Sequence, residues 1–265
     1  MARRTRLDVE LVRRGLARSR EHAAAAIAAG HVRVGGIVAT KAATAVDAGA
    51  SVVVASDVAA DYVSRGGHKL AGALDVFTGL DVHGRRCLDA GASTGGFTDV
   101  LLRRGAAEVV AVDVGYGQLA WALRSDPRVT VLDRTNVRDL GPDLVDPAVG
   151  VLVADLSFIA LTTVLPALHR VLAVDGDLLV MVKPQFEVGR DRVPAGGVVR
   201  DPDLRAAAVR GVAEAAARLG LGTAGVTASP LPGPAGNVEY FLWLRRDAPA
   251  VREDDVAVAV ATGPQ

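Results

Sequence analysis

The 265-residue chain has almost nothing with which to staple itself covalently or through a metal. Cys87 is the only cysteine, which excludes an internal disulfide and a thiolate metal cage, and it reads as a small buried hydrophobe. The five histidines (His22, His31, His68, His83 and His169) show no ligand spacing, so no metal site is expected. Aromatic residues make up only 4% of the chain although half of it is hydrophobic, so the core must be aliphatic. No run of about 18 uninterrupted apolar residues occurs, and a transmembrane helix is not expected. The opening Met-Ala-Arg-Arg-Thr-Arg leads into no signal-peptide core, and the expected location is cytoplasmic.

Net charge is also missing, but only as a sum. Residues 1–70 carry 11 Lys/Arg against 6 Asp/Glu, and the remainder carries 19 against 24. A basic front on a mildly acidic body points to a polyanionic partner.

What is present is alanine, valine, leucine and glycine in two different rhythms. In the front part, Leu7, Leu11, Val12 and Leu16 share one helical face, ending near Gly15. Ser19 caps a second helix, Arg20 to Ala29, closed by Gly30. His31–Val34 and Ile37–Ala39 flank Gly35-Gly36 as a hairpin, and Ala50–Val54 is a further strand. Residues 1–56 thus read as a small α+β domain. The connector at 57–63 carries no motif. Ser64 is expected to cap a helix over about Gly67–Thr78.

From there aliphatic runs alternate with helical patterns. Strands are expected at 86–90, 108–113, 129–132, 149–154, 177–183, 223–229 and 238–244. Helices are expected at 95–104, 117–124, 160–172 and 202–219. Strand alternating with helix predicts an α/β domain over 64–246, built on a doubly wound sheet. Residues 247–265, rich in Pro, Asp and Ala, are expected to fray as a flexible tail.

The first strand of that sheet runs into Asp89-Ala90-Gly91-Ala92-Ser93-Thr94-Gly95-Gly96-Phe97-Thr98. Glycine at a strand-to-helix turn lets backbone approach a ligand. The spacing Gly-x-x-x-Gly-Gly is not the Gly-x-Gly-x-x-Gly that cradles a dinucleotide pyrophosphate, which argues against a nicotinamide oxidoreductase. Asp89 at the strand end attracts a cationic amino-acid moiety rather than a diphosphate, which favours S-adenosylmethionine. Asp113, ending the second strand, is placed for two ribose hydroxyls. Asp133-Arg134-Thr135-Asn136, after the third, is placed for adenine. The expected cofactor-binding residues are Asp89, Gly91, Ser93, Gly95, Gly96, Phe97, Asp113, Asn136 and Asp155.

Asp155 and Lys183 end strands that are otherwise apolar, at the edge where open α/β sheets bind ligands. If the last strand is antiparallel, Glu239 at its start reaches the same edge. Lys69, early in the helix before the first strand, starts there too. Four residues distant in sequence are therefore expected to converge.

Residues 6–54, with Arg6-Leu7-Asp8, Ser19-Arg20 and Val32-Arg33-Val34-Gly35-Gly36, resemble an S4 RNA-binding domain. Ser64-Arg65-Gly66-Gly67-His68-Lys69-Leu70, the glycine loop and Lys183-Pro184-Gln185-Phe186-Glu187-Val188-Gly189 together resemble the TlyA family. The resemblance covers nearly the whole chain and implies a Rossmann-like class I methyltransferase sheet of seven strands, the last antiparallel. It also implies an S-adenosylmethionine-dependent methyltransferase acting on cytidine 2′-hydroxyls of 16S or 23S ribosomal RNA, or both. Lys69, Asp155, Lys183 and Glu239 stand where related heat-shock-type ribose methyltransferases carry a Lys-Asp-Lys-Glu tetrad.

On this reading Lys183 is the base, Asp155 orients it, Glu239 holds Lys69 or the hydroxyl, and Lys69 acts as a neighbouring cation that stabilises the oxyanion. Arg4, Arg6, Arg18, Arg20, Lys41 and Arg65 are expected phosphate contacts, and Phe158 is placed to stack on a base. A monomer acting on RNA within ribosomal subunits is expected. Two other readings remain open at this point: an RNA-binding assembly factor with an inert fold, and a membrane-active haemolysin. The first calls for a lost glycine loop or tetrad and the second for an apolar span, and the sequence shows neither.

Overall fold

The computed structural model describes residues 4–17, 19–28, 30–47, 49–54 and 62–264. Arg18 and connector residues 57–61 lie outside the described residues. The chain divides into two compact units, residues 1–61 and 62–265.

In the first unit a two-residue strand, β1 (Thr5–Arg6), leads into helices α1 (Leu7–Arg13) and α2 (Arg20–Ala28). Ser19 does cap α2, its Oγ accepting from His22 N at 3.1 Å. Strands β2 (Val32–Val34) and β3 (Ile37–Val38) form the expected hairpin. Its turn residues Gly35 and Gly36 have φ of +56° and +83°, the left-handed pair that a two-residue turn requires. Strand β4 (Ala45–Val46) pairs with β1, and β5 (Val52–Val54) adds to the other side of β2. The core is small: Leu7, Leu11, Ala23, Ile27, Val32 and Val46 are its most buried members. The β1–β4 ladder is new relative to the sequence, because two-residue strands carry no periodicity.

Acidic residues organise the basic surface of this unit. Asp8, almost wholly buried, accepts from Arg6 at 3.0 Å and from Arg20 at 3.1 Å. The Arg6 bond comes first in holding its carboxyl well below the usual range. Glu10 is held down to about 2 by Arg13 and Arg14. Arg4 pairs with Asp47 at 3.3 Å, and Lys41 is exposed. Arg4, Arg6 and Arg20 keep more than half of their side-chain surface open to solvent.

The second unit opens with Tyr62 and Val63, which pack on its core rather than linking freely. Val63 N donates to Asp99 at 3.0 Å, and Arg103 lies 4.8 Å from the Tyr62 ring. Then follow α3 (Arg65–Val76), β6 (Arg86–Ala90), α4 (Gly96–Arg103), β7 (Glu108–Val112), α5 (Trp121–Arg124) and β8 (Val129–Leu132). Next come β9 (Val149–Ala154), α6 (Leu161–Val171), β10 (Leu172–Val182) and the short α7 (Pro184–Glu187). The chain ends with α8 (Pro202–Ala217), β11 (Gly222–Ala228), β12 (Tyr240–Arg245) and α9 (Glu253–Thr262).

The seven strands form one sheet in the order β11-β12-β10-β9-β6-β7-β8, with β12 antiparallel to both neighbours and the other pairs parallel. Strand residues alternate between two aliphatic layers. Leu88, Val110, Leu152, Val180 and Leu242 face the side covered by α6, α8 and α9. Cys87, Val109, Val151, Met181 and Phe241 face α3 and α4. No described helix is long and apolar enough to cross a membrane.

Two expectations change. Ser64 occupies the N-cap position of α3 but makes no capping bond, because its hydroxyl sits against the start of α4. The described part of this tail, residues 247–264, does not fray: α9 packs on β11 and α8, with Val256 and Ala259 buried. Three acids in its first turn suit the helix dipole, and Thr223 N donates to Pro249 O at 2.7 Å, which fastens the approach.

Candidate active site

Strand order reverses between β6 and β9, which opens a crevice at their carboxyl ends. Two cavities meet there. The larger, about 550 Å³, is lined by Gly91, Ser93, Asp113, Asn136, Asp155 and Phe158 among others. The smaller, about 330 Å³, is lined by Lys69, Asp155, Ser157, Lys183 and Glu239 together with the glycine loop. Gly91, Ser93, Asp155 and Ser157 belong to both.

The loop that separates them is held from below. Thr98 donates to Asp89 Oδ2 through its backbone N (2.9 Å) and its hydroxyl (2.7 Å), tying the first turn of α4 to the end of β6. Asp89 is wholly buried, and its other oxygen, Oδ1, has no partner. Burial pushes this carboxyl up to about 7; the Thr98 bonds oppose the rise, and the negative charges of Asp155 and Asp113 add to it. Asp89 sits at the end of β6 just behind that loop and does not line either cavity, but its unpaired carboxylate oxygen fits a cationic amino group.

Asp113 accepts from Ser93 N (2.8 Å) and Gly115 N (2.7 Å), one bond to each oxygen. Each oxygen keeps a lone pair for a hydroxyl donor. Asn136 Oδ1 accepts from Arg138 N at 3.0 Å while the residue lines the larger cavity. These donor sets suit a nucleoside carrying an amino acid.

Besides lining the cavities at Gly91 and Gly96, the loop glycines serve a second purpose. A Cβ on Gly91 would lie 2.5 Å from the Asp155 carbonyl, one on Gly95 would strike Leu123 and Leu119, and one on Gly96 would strike Ser64. Their bareness lets protein approach protein, and Gly95 does not line either cavity. Phe97 is buried and stacked on Phe241 at 6.0 Å, forming part of the smaller cavity's wall.

The four expected polar residues do converge, as two ion pairs. Lys69 Nζ lies 2.5 Å from Glu239 Oε2, and Lys183 Nζ lies 2.5 Å from Asp155 Oδ1. Lys69, Lys183 and Glu239 are 7%, 7% and 1% exposed. Lys183 Nζ also donates to Ser157 Oγ at 3.0 Å. Ser157 and Thr98 were not anticipated; lone hydroxyls two and nine residues from an acid carry no pattern. Arg65 is exposed on the rim of the smaller cavity. The Arg4, Arg6, Arg20 and Lys41 positions belong to the first unit.

Phe158 is 92% exposed and has φ of +64°, a conformation that a bulky residue adopts at a cost of about 1–3 kcal/mol. It is not a core side chain. Glu187 of α7 accepts from Leu161 N at 2.7 Å, supplying the N-terminus of α6 with the cap its own sequence lacks. Burial pushes Glu187 up to about 7 against those backbone bonds.

A seven-stranded sheet with this order and an antiparallel β12, a glycine loop at the switch point and a nucleoside-shaped crevice define the methyltransferase class. Residues 62–246 match the FtsJ-like methyltransferase family model, and residues 5–52 match the S4 domain. The chain is 59% identical, over the full length of both proteins, to the 16S/23S rRNA (cytidine-2′-O)-methyltransferase TlyA of Mycobacterium tuberculosis. It is 37% identical to Hemolysin A of Brachyspira hyodysenteriae, over 89% of this chain and 98% of that protein. A solved structure from Streptococcus thermophilus, described as a hemolysin, superposes with a TM-score of 0.74 at 37% identity, covering 98% and 96% of the two chains. The chain therefore belongs to the TlyA family of FtsJ-like methyltransferases.

Proposed function

We propose that this protein transfers a methyl group from S-adenosylmethionine to the 2′-hydroxyl of a cytidine in ribosomal RNA. The observation that carries the reading is the pair of buried lysine–carboxylate contacts at the junction of the two cavities. Its support is the family membership and the names of the full-length relatives.

Asp89 Oδ1 holds the amino group of the cofactor, while Asp113 and Asn136 take its ribose and adenine. The bound cofactor supplies an electrophilic methyl group on a positively charged sulfur. The chain's own task is the acceptor. A ribose hydroxyl is a poor nucleophile near neutral pH, so its proton must leave as it attacks. Lys183 accepts that proton, and Asp155 stabilises the ammonium that forms. Lys69, oriented by Glu239, donates to the developing oxyanion. Ser157 fixes Lys183 from a second direction.

The S4-like unit supplies the polyanion contacts through Arg4, Arg6, Arg18, Arg20 and Lys41, with Arg65 on the crevice rim. Such contacts position the enzyme without reading sequence. Phe158 offers its exposed ring to an unstacked base. We further propose that it works as a monomer in the cytoplasm, where ribosomes are.

The test is transfer of labelled methyl groups to isolated small and large ribosomal subunits, followed by digestion to nucleosides. The expected product is 2′-O-methylcytidine. Label in a base, in protein or nowhere, with the cofactor bound, would overturn the proposal.

A further inference from the structure

A third cavity, about 500 Å³, adjoins the site but belongs to neither of the two already assigned. Phe158 and Ile159 form one side, and Gln185, Phe186 and Arg190 form the other. The Phe158 and Phe186 rings stand 5.5 Å apart at 50°, an open aromatic pair rather than a closed stack. The wall is braced, because the Glu187–Leu161 bond ties α7 to the segment that carries Phe158. Gln185 lies two residues beyond Lys183, within a nucleoside's length of the acceptor site.

Gln185 also has an unmet need. Its Oε1 is shielded from solvent and accepts no hydrogen bond. A buried amide oxygen without a donor is uncommon and calls for a partner. The terminal amide torsion is soft, so the group can turn into the cavity it lines.

We infer that this cavity is the subsite for the base of the nucleotide being methylated, and that Gln185 is its specificity-determining residue. The inference rests on the proposed function and names what that reading leaves open, the way one pyrimidine is chosen over the other. Both carry a 2′-hydroxyl, so the reacting atoms cannot discriminate. Cytosine presents an exocyclic amino donor beside an acceptor ring nitrogen, whereas uracil presents a carbonyl acceptor beside an N–H donor. An amide that offers its oxygen to the amino group and its nitrogen to the ring nitrogen matches cytosine. In that orientation the same amide meets uracil oxygen to oxygen. Phe158 and Phe186 supply stacking that any base would accept; the choice falls to the amide.

The experiment uses the full-length protein and ribosomal subunits reconstituted with rRNA transcripts. One carries the unmodified cytidine that the enzyme methylates, and the other carries uridine at that position. Wild-type enzyme is expected to favour cytidine by about 10- to 100-fold in kcat/KM. Gln185→Leu should reduce the cytidine rate to near the uridine rate, bringing the ratio close to one with cofactor affinity within about twofold of wild type. Gln185→Glu, which keeps an acceptor oxygen, should retain a preference for cytidine. Equal wild-type rates on both transcripts, or a Gln185→Leu enzyme that slows equally on both, would overturn the subsite while leaving the methyltransferase reading intact. No transfer by wild-type enzyme to either transcript would instead overturn the proposed function itself.

Discussion

At the donor end of the crevice Asp89 is wholly buried with one oxygen unpaired, whereas at the acceptor end Lys69 and Lys183 each face a carboxylate at 2.5 Å. The two ends share a loop but handle charge in opposite ways. On the proposed function a cationic cofactor group completes the donor end, and the incomplete charge there serves as a binding determinant. The acceptor end must hold its lysines in place before a neutral hydroxyl arrives, so it neutralises them internally. Buried ammonium groups without such partners would cost several kcal/mol each.

Removing one partner at the acceptor end tests this most severely. Glu239→Ala strands Lys69 in a buried site, and the expected loss is about 3–5 kcal/mol in urea denaturation. Lys69→Met with Glu239→Leu should recover most of that stability while leaving the enzyme inactive. If Glu239→Ala unfolds like wild type, the pair is solvated and the contrast fails.

The donor end should respond in the reverse sense. Asp89→Asn is expected to weaken cofactor binding by about 10- to 100-fold, and calorimetric titration checks it. The same change should raise the Tm of the cofactor-free protein by a few degrees, because it removes a charge that burial disfavours. The pH dependence has the same origin. The folded value for Asp89, about 7, lies above the ordinary 3.8. Its contribution to stability is therefore fully present below that ordinary value and is lost as pH rises through 7. Glu187, also pushed up to about 7, acts in the same direction. Cofactor affinity runs the other way, since only the ionised carboxylate attracts the amino group. Affinity should fall by at most about tenfold per pH unit below 7. An affinity flat from pH 6 to 8 would remove Asp89 from that role.

The smallest effect belongs to the first unit. Arg20 shares Asp8 with Arg6 and is more than half exposed, so Arg20→Ala should leave Tm within about 1 °C. Affinity for ribosomal subunits should fall severalfold, with the salt slope shallower by about one.

Much of this was legible in the sequence for physical reasons. Parallel strands buried on both faces read as aliphatic runs, so β6 and β9 fall at their expected residues. Asp155 and Lys183 stand out because a charge ending an apolar strand is conspicuous, Glu239 because it opens one, and Lys69 because its helix starts near the same edge. What stayed hidden depended on tertiary contact. The pairing of Lys69 with Glu239 spans 170 residues and leaves no local pattern. The glycines of the 91–96 loop announce close approach but not what approaches. Helix α9 was read as a loose tail because its Ala-rich face is only weakly apolar, and packing on β11 decides it. Expected helix 117–124 shortens to Trp121–Arg124, with Gly117 at φ of +66° before it.

The account turns on Lys183 serving the acceptor and not the cofactor. Turnover and cofactor affinity of Lys183→Met, measured side by side on the same preparation, test that directly. The expected result is turnover lower by about 100- to 10,000-fold with cofactor affinity nearly unchanged. Affinity falling in step with turnover, or turnover surviving, would contradict it.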